Sequence, residues 1–468
     1  MQKRRRIKKI LLVMPPRNYL KGREGKRAYP PLGLAYLASA LENNWEVSIL
    51  DSILEGFGRE EEIEPGLYRY GLSFKQIEKR IRDFGPDVVG VSCLQFIQYE
   101  EARIVCNIAK NVDPLIATVM GGACPSISPS ISLRDRSVDF LILGEGESAL
   151  YSLVRSLETG SGLADLPGLA YRDSSGDARI NPRAVINRLD SLPLPARHLL
   201  SLKEYPRLNR RPFGERDCLE DYFTSLVSSR GCSGDCRFCS SRSLWGQQFR
   251  AHSPSRVLRE IELLVSAGIR ELHFLDDNLT LDKRRAEEIF EGIIGRRLNI
   301  SWYAISGMAV NTLDTELLMK MRESGCYRVA LPIETAKSET LDAMRKPIDH
   351  RRIAGLVKTI KAMGMHADGI FMIGYPGETT GDIDKTLEFA NSLSLDNVTF
   401  CIATPFPGTA LYDDCLKKGY IREDMRWLDL RFAKGNIETP EFSPQYLERV
   451  RKEAWLRINF PQRTVAAV

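Results

Sequence analysis

Long apolar runs are missing from this chain. The one early apolar stretch, residues 10–14 (ILLVM), is ended by Pro15 and Pro16 and is too short for a signal core or a membrane span. The expectation is a chain with no export signal and no transmembrane segment, placed in the cytoplasm. Histidine is scarce as well, with 5 in 468 residues and none before His198, which excludes a protein imidazole as metal ligand anywhere upstream of that position. Neither sign of charge dominates. Lys and Arg number 66 against 61 Asp and Glu, and much of the net +5 sits in the opening run MQKRRRIKK. That run reads as a solvated tail, so no nucleic-acid surface is expected. The 10 cysteines are too sparse for a disulfide scaffold. Three of them crowd together, which points to a reducing compartment and a metal.

What is present is the balance of a globular protein, 43% hydrophobic and 27% charged, and 468 residues exceed one core and fit two or three domains. Residues 8–158 alternate β-branched runs (KILLVM, VSILD, DVVGVS, LIATVM, DFLIL) with amphipathic helical stretches. This alternation predicts, over residues 1–158, an α/β doubly wound, flavodoxin-like parallel sheet. The ligand crevice of such a sheet lies at its C-terminal strand ends. Here those ends carry Met14 to Arg17 and Ser92 to Leu94. Residues 159–221, with GSG, DSSGD and LDSLPLPAR, read as a linker. From Tyr222 the alternation resumes, with strands near 222–229, 270–276, 300–306, 326–333, 366–374 and 396–404. Six such units over 222–404 predict an open, partial (β/α)6 TIM-type barrel. Residues 405–468, with Tyr412, Trp427, Phe432 and Trp455, show no clear period and are expected to form a substrate-side extension.

The segment SSRGCSGDCRFCSSR places Cys232, Cys236 and Cys239 at spacing C-x3-C-x2-C just after the first barrel strand. A cubane iron–sulfur cluster normally takes four thiolates, and a loop this short wraps only one face, so three ligands leave one iron open. Gly231 and Gly234 allow tight turns around the sulfurs, at the strand end where barrels place active sites. A structural zinc site is the competing assignment. It needs a fourth ligand, for which His198, Cys218 and His252 are candidates, but no second CxxC knuckle exists.

With Phe238 before its last cysteine, the loop resembles that of the radical S-adenosylmethionine (SAM) superfamily, and the likeness runs over about 220–412. The resemblance implies a 4Fe-4S cluster on the three cysteines, SAM bound at the open iron and cleaved to a 5'-deoxyadenosyl radical, and an external low-potential electron donor such as flavodoxin or ferredoxin. It implies cofactor contacts at Phe238 and at later strand ends: Asp276, Asp277 and Asn278 in FLDDN, Ser306 in WYAISG, Glu334 in LPIETA, and Gly374, Tyr375 and Pro376 in GIFMIGYPGE. FLDDN stands where the family commonly has GGE. The residues alone leave other roles open, with Asp276 and Asp277 as helix caps and Glu334 as a buried ion-pair partner.

Upstream, PPLGLAYLASAL, GVSCL, MGG and LGEGE resemble the cobalamin-binding domain that precedes many radical SAM methylases. The ligand-side residues this implies are Ser92, Leu94, Gly121, Gly122, Gly144 and Glu145, followed by Gly146. Several are glycines at strand ends, where backbone must approach a ligand closely. No DxHxxG follows the first strand; MPPRNYLKGRE stands there instead, so cobalt is expected to lack an imidazole ligand from this domain. A nucleotide-binding flavodoxin-like domain is the alternative. Together the two resemblances imply a cobalamin-dependent radical SAM methyltransferase that abstracts hydrogen from an unactivated carbon and delivers a methyl group by way of methylcobalamin. Cyclisation, rearrangement or oxidation without methyl transfer is the alternative. Methylthiolation would need a second cluster, and Cys93, Cys106 and Cys124 are too widely spaced for one. A regulator that binds these groups without chemistry is the non-enzymatic alternative. Substrate class stays open among a small molecule, a lipid, a tetrapyrrole, a natural-product scaffold and a peptide.

Overall fold

The computed structural model describes residues 6–183, 185–208, 218–220, 222–421 and 425–460. Most of the basic tail and the last residues of the 405–468 extension lie outside the described residues. The chain divides into two compact units, Met1–Asp221 and Tyr222–Val468.

The first unit is built on parallel strands β1 (Lys9–Met14), β2 (Glu46–Asp51), β3 (Val88–Ser92), β4 (Ala117–Gly121) and β5 (Phe140–Ile142). VVGVS is buried along its whole length, as a central parallel strand must be. The order β2-β1-β3-β4-β5 is the expected flavodoxin-like one, with winding reversed between β1 and β3. Two further strands, β6 (Leu169–Arg172) and β7 (Ala178–Ile180), extend the sheet in antiparallel fashion beyond β5. They fall in the stretch read as linker. Their runs are too short for a period to register, and all three residues of β7 are exposed. Two further points of that stretch are fastened to this unit, because the Tyr205 hydroxyl donates to buried Asp51 at 2.7 Å and the Ala196 amide donates to the Ala35 carbonyl at 2.9 Å. The segment MPPRNYLKGRE holds a strand too: Arg17–Leu20 pairs with Leu67–Tyr70, which pairs in turn with Glu60–Glu64.

The second unit carries six parallel strands in sequential order, β8 (Phe223–Leu226), β9 (Glu271–Phe274), β10 (Ser301–Ala304), β11 (Cys326–Glu334), β12 (His366–Ile373) and β13 (Asn397–Ile402). Among the described residues no pairing joins β13 to β8, so the barrel is open. Alternation splits each strand between two faces. Trp302 of β10 is fully buried and stacks on Phe290 of the helix Lys283–Gly295 with centroids 4.9 Å apart. On the other face His273 of β9 stacks on Phe223 at 4.6 Å. The helix Pro444–Asn459 closes the β13 edge, where Asn459 bonds both the amide (2.8 Å) and the carbonyl (2.9 Å) of Val398. Because the strands are parallel, the C-terminal ends of β8 to β13 all point the same way.

Candidate cofactor sites

β8 leads through Ser228 and Ser229 into the cysteine loop. Ser229–Arg230 pairs with Arg250–Ala251, so loop entry and exit are held together. Cys232, Cys236 and Cys239 are partly exposed, whereas Cys93, Cys106 and Cys124 are buried, with the Cys93 and Cys124 thiols as neighbours. Gly234 sits between two of the sulfurs: a Cβ there would lie 3.4 Å from Cys232 Sγ and 3.8 Å from Cys236 Sγ, and the Gly234 amide donates to Cys232 Sγ at 3.4 Å. Burial raises the Cys236 thiol and pushes Cys239 up to about 11, a cost that a bound cation offsets by favouring thiolate. Among the described residues, no three His, Cys, Asp or Glu side chains group closely enough to hold a single metal ion. A cubane, which presents separate irons to separate thiolates, fits three thiols carried on one short loop.

The carboxylates of FLDDN reach back to this loop. Asp276 is fully buried and accepts the Ser228 amide (3.0 Å), the Ser228 hydroxyl (2.6 Å) and the Ser229 hydroxyl (2.5 Å). Burial holds its carboxyl above the ordinary range. Asp277 accepts the Gly231 amide at 3.0 Å and the Ser241 hydroxyl at 2.8 Å. Neither caps the next helix; Asp282 does so, accepting the Arg285 amide at 3.0 Å. Asn278 is buried beside Thr280, and Ser306 stands exposed on the turn after β10.

Glu334 ends β11 in the left-handed region at φ 67°, a costly conformation for a residue with a Cβ, and one that tends to mark functional sites. It is buried and pairs with Lys346 at 3.1 Å, so the ion-pair role left open by the sequence is filled. The Lys346 ammonium lies 5.9 Å from the Phe238 ring centroid. Burial alone would lower its pKa, but Glu334 and the neighbouring thiols outweigh that and raise it. The adjoining residues seat the cysteine loop: the Arg237 amide donates to Met344 at 3.0 Å, and Arg345 pairs with Asp235. After β12, Gly374 adopts φ 78° and Tyr375 is buried, with half-buried Pro376 following. Glu378 ties this turn to β11, accepting the Gly374 (2.9 Å) and Tyr375 (3.0 Å) amides and the Thr335 hydroxyl (3.0 Å). Burial pushes its carboxyl up to about 7. Sequence reasoning passed over Lys346 and Glu378. Glu378 carried a signal, as the acid that ends GYPGE, but nothing local marks Lys346.

In the first unit the ends of β3, β4 and β5 meet. The Cys93 amide donates to Gly121 (2.7 Å) and the Cys124 amide to Cys93 (3.2 Å), a seam of backbone on backbone. Gly122 has φ 117°, and a Cβ there would stand 2.5 Å from the Cys93 carbonyl oxygen. Leu94 is 53% exposed at this rim, next to buried Ser92. Ser126, which the sequence did not single out, donates to the Gly122 carbonyl at 2.6 Å and accepts the Gly144 amide at 2.8 Å. Glu145 is buried and accepts the Ile186 amide at 2.7 Å. A glycine-flattened edge with an exposed apolar side chain fits the face of a large planar ligand such as a corrin.

Residues 23–154 match the B12 binding domain, and residues 226–390 match the Radical SAM superfamily. An uncharacterised methyltransferase of Pyrococcus horikoshii is 34% identical over 453 residues, 96% of this chain and 92% of the relative. The chain belongs to the cobalamin-dependent radical SAM enzymes. The cofactors of this radical SAM enzyme are a 4Fe-4S cluster, SAM and cobalamin. It is also 30% identical to the cytidylyl-2-hydroxyethylphosphonate methyltransferase of Streptomyces wedmorensis, over 93% of this chain and 87% of the relative. Likeness to the anaerobic magnesium-protoporphyrin IX monomethyl ester cyclase of Rubrivivax gelatinosus is 26%, over 94% and 74%. The fold is shared with the radical SAM methyltransferase TsrM of Kitasatospora setae, solved with cobalamin and a 4Fe-4S cluster, at TM-score 0.70 and 19% identity over 88% of this chain and 78% of that one. No helix among the described residues is long and apolar enough to cross a membrane.

Proposed function

We propose that this enzyme is a methyltransferase acting on a carbon too inert for direct nucleophilic attack. One observation carries the reading: over 96% of its length the chain is 34% identical to a protein described as a methyltransferase. When bound, the cofactors supply the chemistry, with SAM giving a 5'-deoxyadenosyl radical on reduction through the cluster and, by way of cobalamin, a methyl group. The chain's own residues bind and orient. Cys232, Cys236 and Cys239 hold the cluster and leave one iron for SAM. Glu334 and Lys346 offer one charge of each sign beside the loop, which matches the zwitterionic end of SAM, with Phe238 against them. Asn278, Ser306 and the Gly374, Tyr375 and Pro376 turn supply polar groups and close backbone for the rest of that cofactor. Ser92, Leu94, Gly121, Gly122, Gly144 and Glu145 serve the corrin side. Residues 405–468 shape the substrate pocket, where Phe432, 51% exposed and edge-on to Phe406 at 5.5 Å, is open to substrate.

With substrate, S-adenosylhomocysteine and 5'-deoxyadenosine should accumulate in near-equal amounts, since each turnover uses one SAM as methyl donor and one as radical source. The 26% likeness to a cyclase favours a second reading, radical chemistry without methyl transfer. Deoxyadenosine formation with S-adenosylhomocysteine at background would select it.

A further inference from the structure

The geometry points to Asp277 as the positioning residue of the cysteine loop, acting on the cluster through the loop and not as a contact to SAM. Its Oδ2 accepts the amide of Gly231, immediately before Cys232, and its Oδ1 accepts the hydroxyl of Ser241, two residues beyond Cys239. One carboxylate therefore spans both ends of the segment that carries all three thiolates. Bonds to an ionised acceptor are among the stronger ones, and here they replace regular secondary structure, which the loop lacks between Arg230 and Ser241.

The surroundings leave this tie a rigid base. Directly below, Asp276 holds Ser228 and Ser229, while the Arg285 guanidinium donates to the Ser228 carbonyl at 2.7 Å and to the His252 carbonyl at 2.8 Å. Gly231 itself has φ 83°, and a side chain there would run into the Gln248 carbonyl, so the loop entry has one shape. Beyond the end of β9, Asp276 grips the strand exit and Asp277 the loop. A thiolate triplet holds a cubane with its open iron in a set direction only if the loop ends cannot splay.

The inference rests on the reading that the three cysteines hold the cluster, and the test separates the two. Reconstituted holoenzyme is mixed with an iron chelator, and iron release is followed, together with the change that SAM makes in the electron paramagnetic resonance of the reduced cluster. Asp277→Ala removes both bonds and should release iron at least about tenfold faster, the scale of a single lost charge-assisted bond being a lower bound. Ser241→Ala should shift the rate in the same direction by less. The double variant should be no faster than Asp277→Ala, because both changes remove the same tie. SAM should still perturb the signal of whatever cluster remains. Unchanged release from Ser241→Ala would overturn the inference. So would Asp277→Ala with normal release and no response to SAM, which would make Asp277 a SAM contact. Cys232→Ala that kept iron and its absorption would instead remove the cluster assignment beneath it.

Discussion

Gly122 shows how a single residue can decide whether the edge proposed for cobalamin exists. Its φ of 117° lies in a region that L side chains avoid, and its Cα faces the Cys93 carbonyl. Gly122→Ala should cost about 1–3 kcal/mol and reduce bound cobalamin. A variant with normal melting temperature and a full complement of cobalamin would contradict this. Asp51 supplies a pH signature. Burial raises its carboxyl from 3.8 to about 6, against the opposing bonds from Tyr205, Leu54 and Ile53. Because the folded pKa is raised, its contribution to stability is complete below about pH 4 and is lost as pH rises through 6, by about 3 kcal/mol. Asp51→Asn should therefore flatten the stability curve between pH 4 and 6, read by thermal unfolding; parallel curves for the two proteins would rule the effect out. At this scale the cysteines were legible because their spacing is local. The destinations of Asp276 and Asp277 were not, since FLDDN shows two acids but not the serines 228, 229 and 241 they reach. Lys346 was invisible for the same reason, as its partner Glu334 lies across a helix and a turn.

At the scale of elements, the strands of the second unit were legible because each is a largely buried apolar run followed by a helix, and β11, predicted at 326–333, spans Cys326–Glu334. The elements that escaped notice lack a period. Glu60–Glu64 reads EEEIE, too acidic to suggest a strand, yet it pairs with Leu67–Tyr70. In the helix Pro444–Asn459 only Leu447, Val450 and Ala454 are buried, a stripe too narrow to stand out among its charges. That helix nevertheless presses on the Gly374 and Tyr375 turn proposed for SAM, since a Cβ at Gly374 would lie 2.5 Å from Leu447 Cδ1. Leu447→Ala leaves a hole at a fully buried position and should cost about 2–4 kcal/mol. By freeing the Gly374 and Tyr375 turn it should also weaken SAM binding several-fold relative to an equally destabilising change in the first unit. Equal SAM affinity in the two variants would show that the helix has no hold on the site.

For the whole molecule, the doubly wound sheet and the open barrel were both readable, because alternation of strand and helix is a property of long stretches and survives errors at any one boundary. The stretch between them was not readable as part of the first unit: β6, β7 and the Tyr205 anchor are fixed by partners far away in sequence. We propose that the cluster side and the cobalamin side take part in one methyl transfer. Holoenzyme carrying cluster and cobalamin is reduced and supplied with SAM bearing a trideuterated methyl group, and the protein-bound cobalamin is then released and weighed by mass spectrometry. For a methyltransferase the label should appear on cobalamin with all three deuteriums, matched by an equal amount of S-adenosylhomocysteine. SAM consumed to deoxyadenosine while cobalamin stays unlabelled would contradict it and leave a radical enzyme that transfers no methyl group.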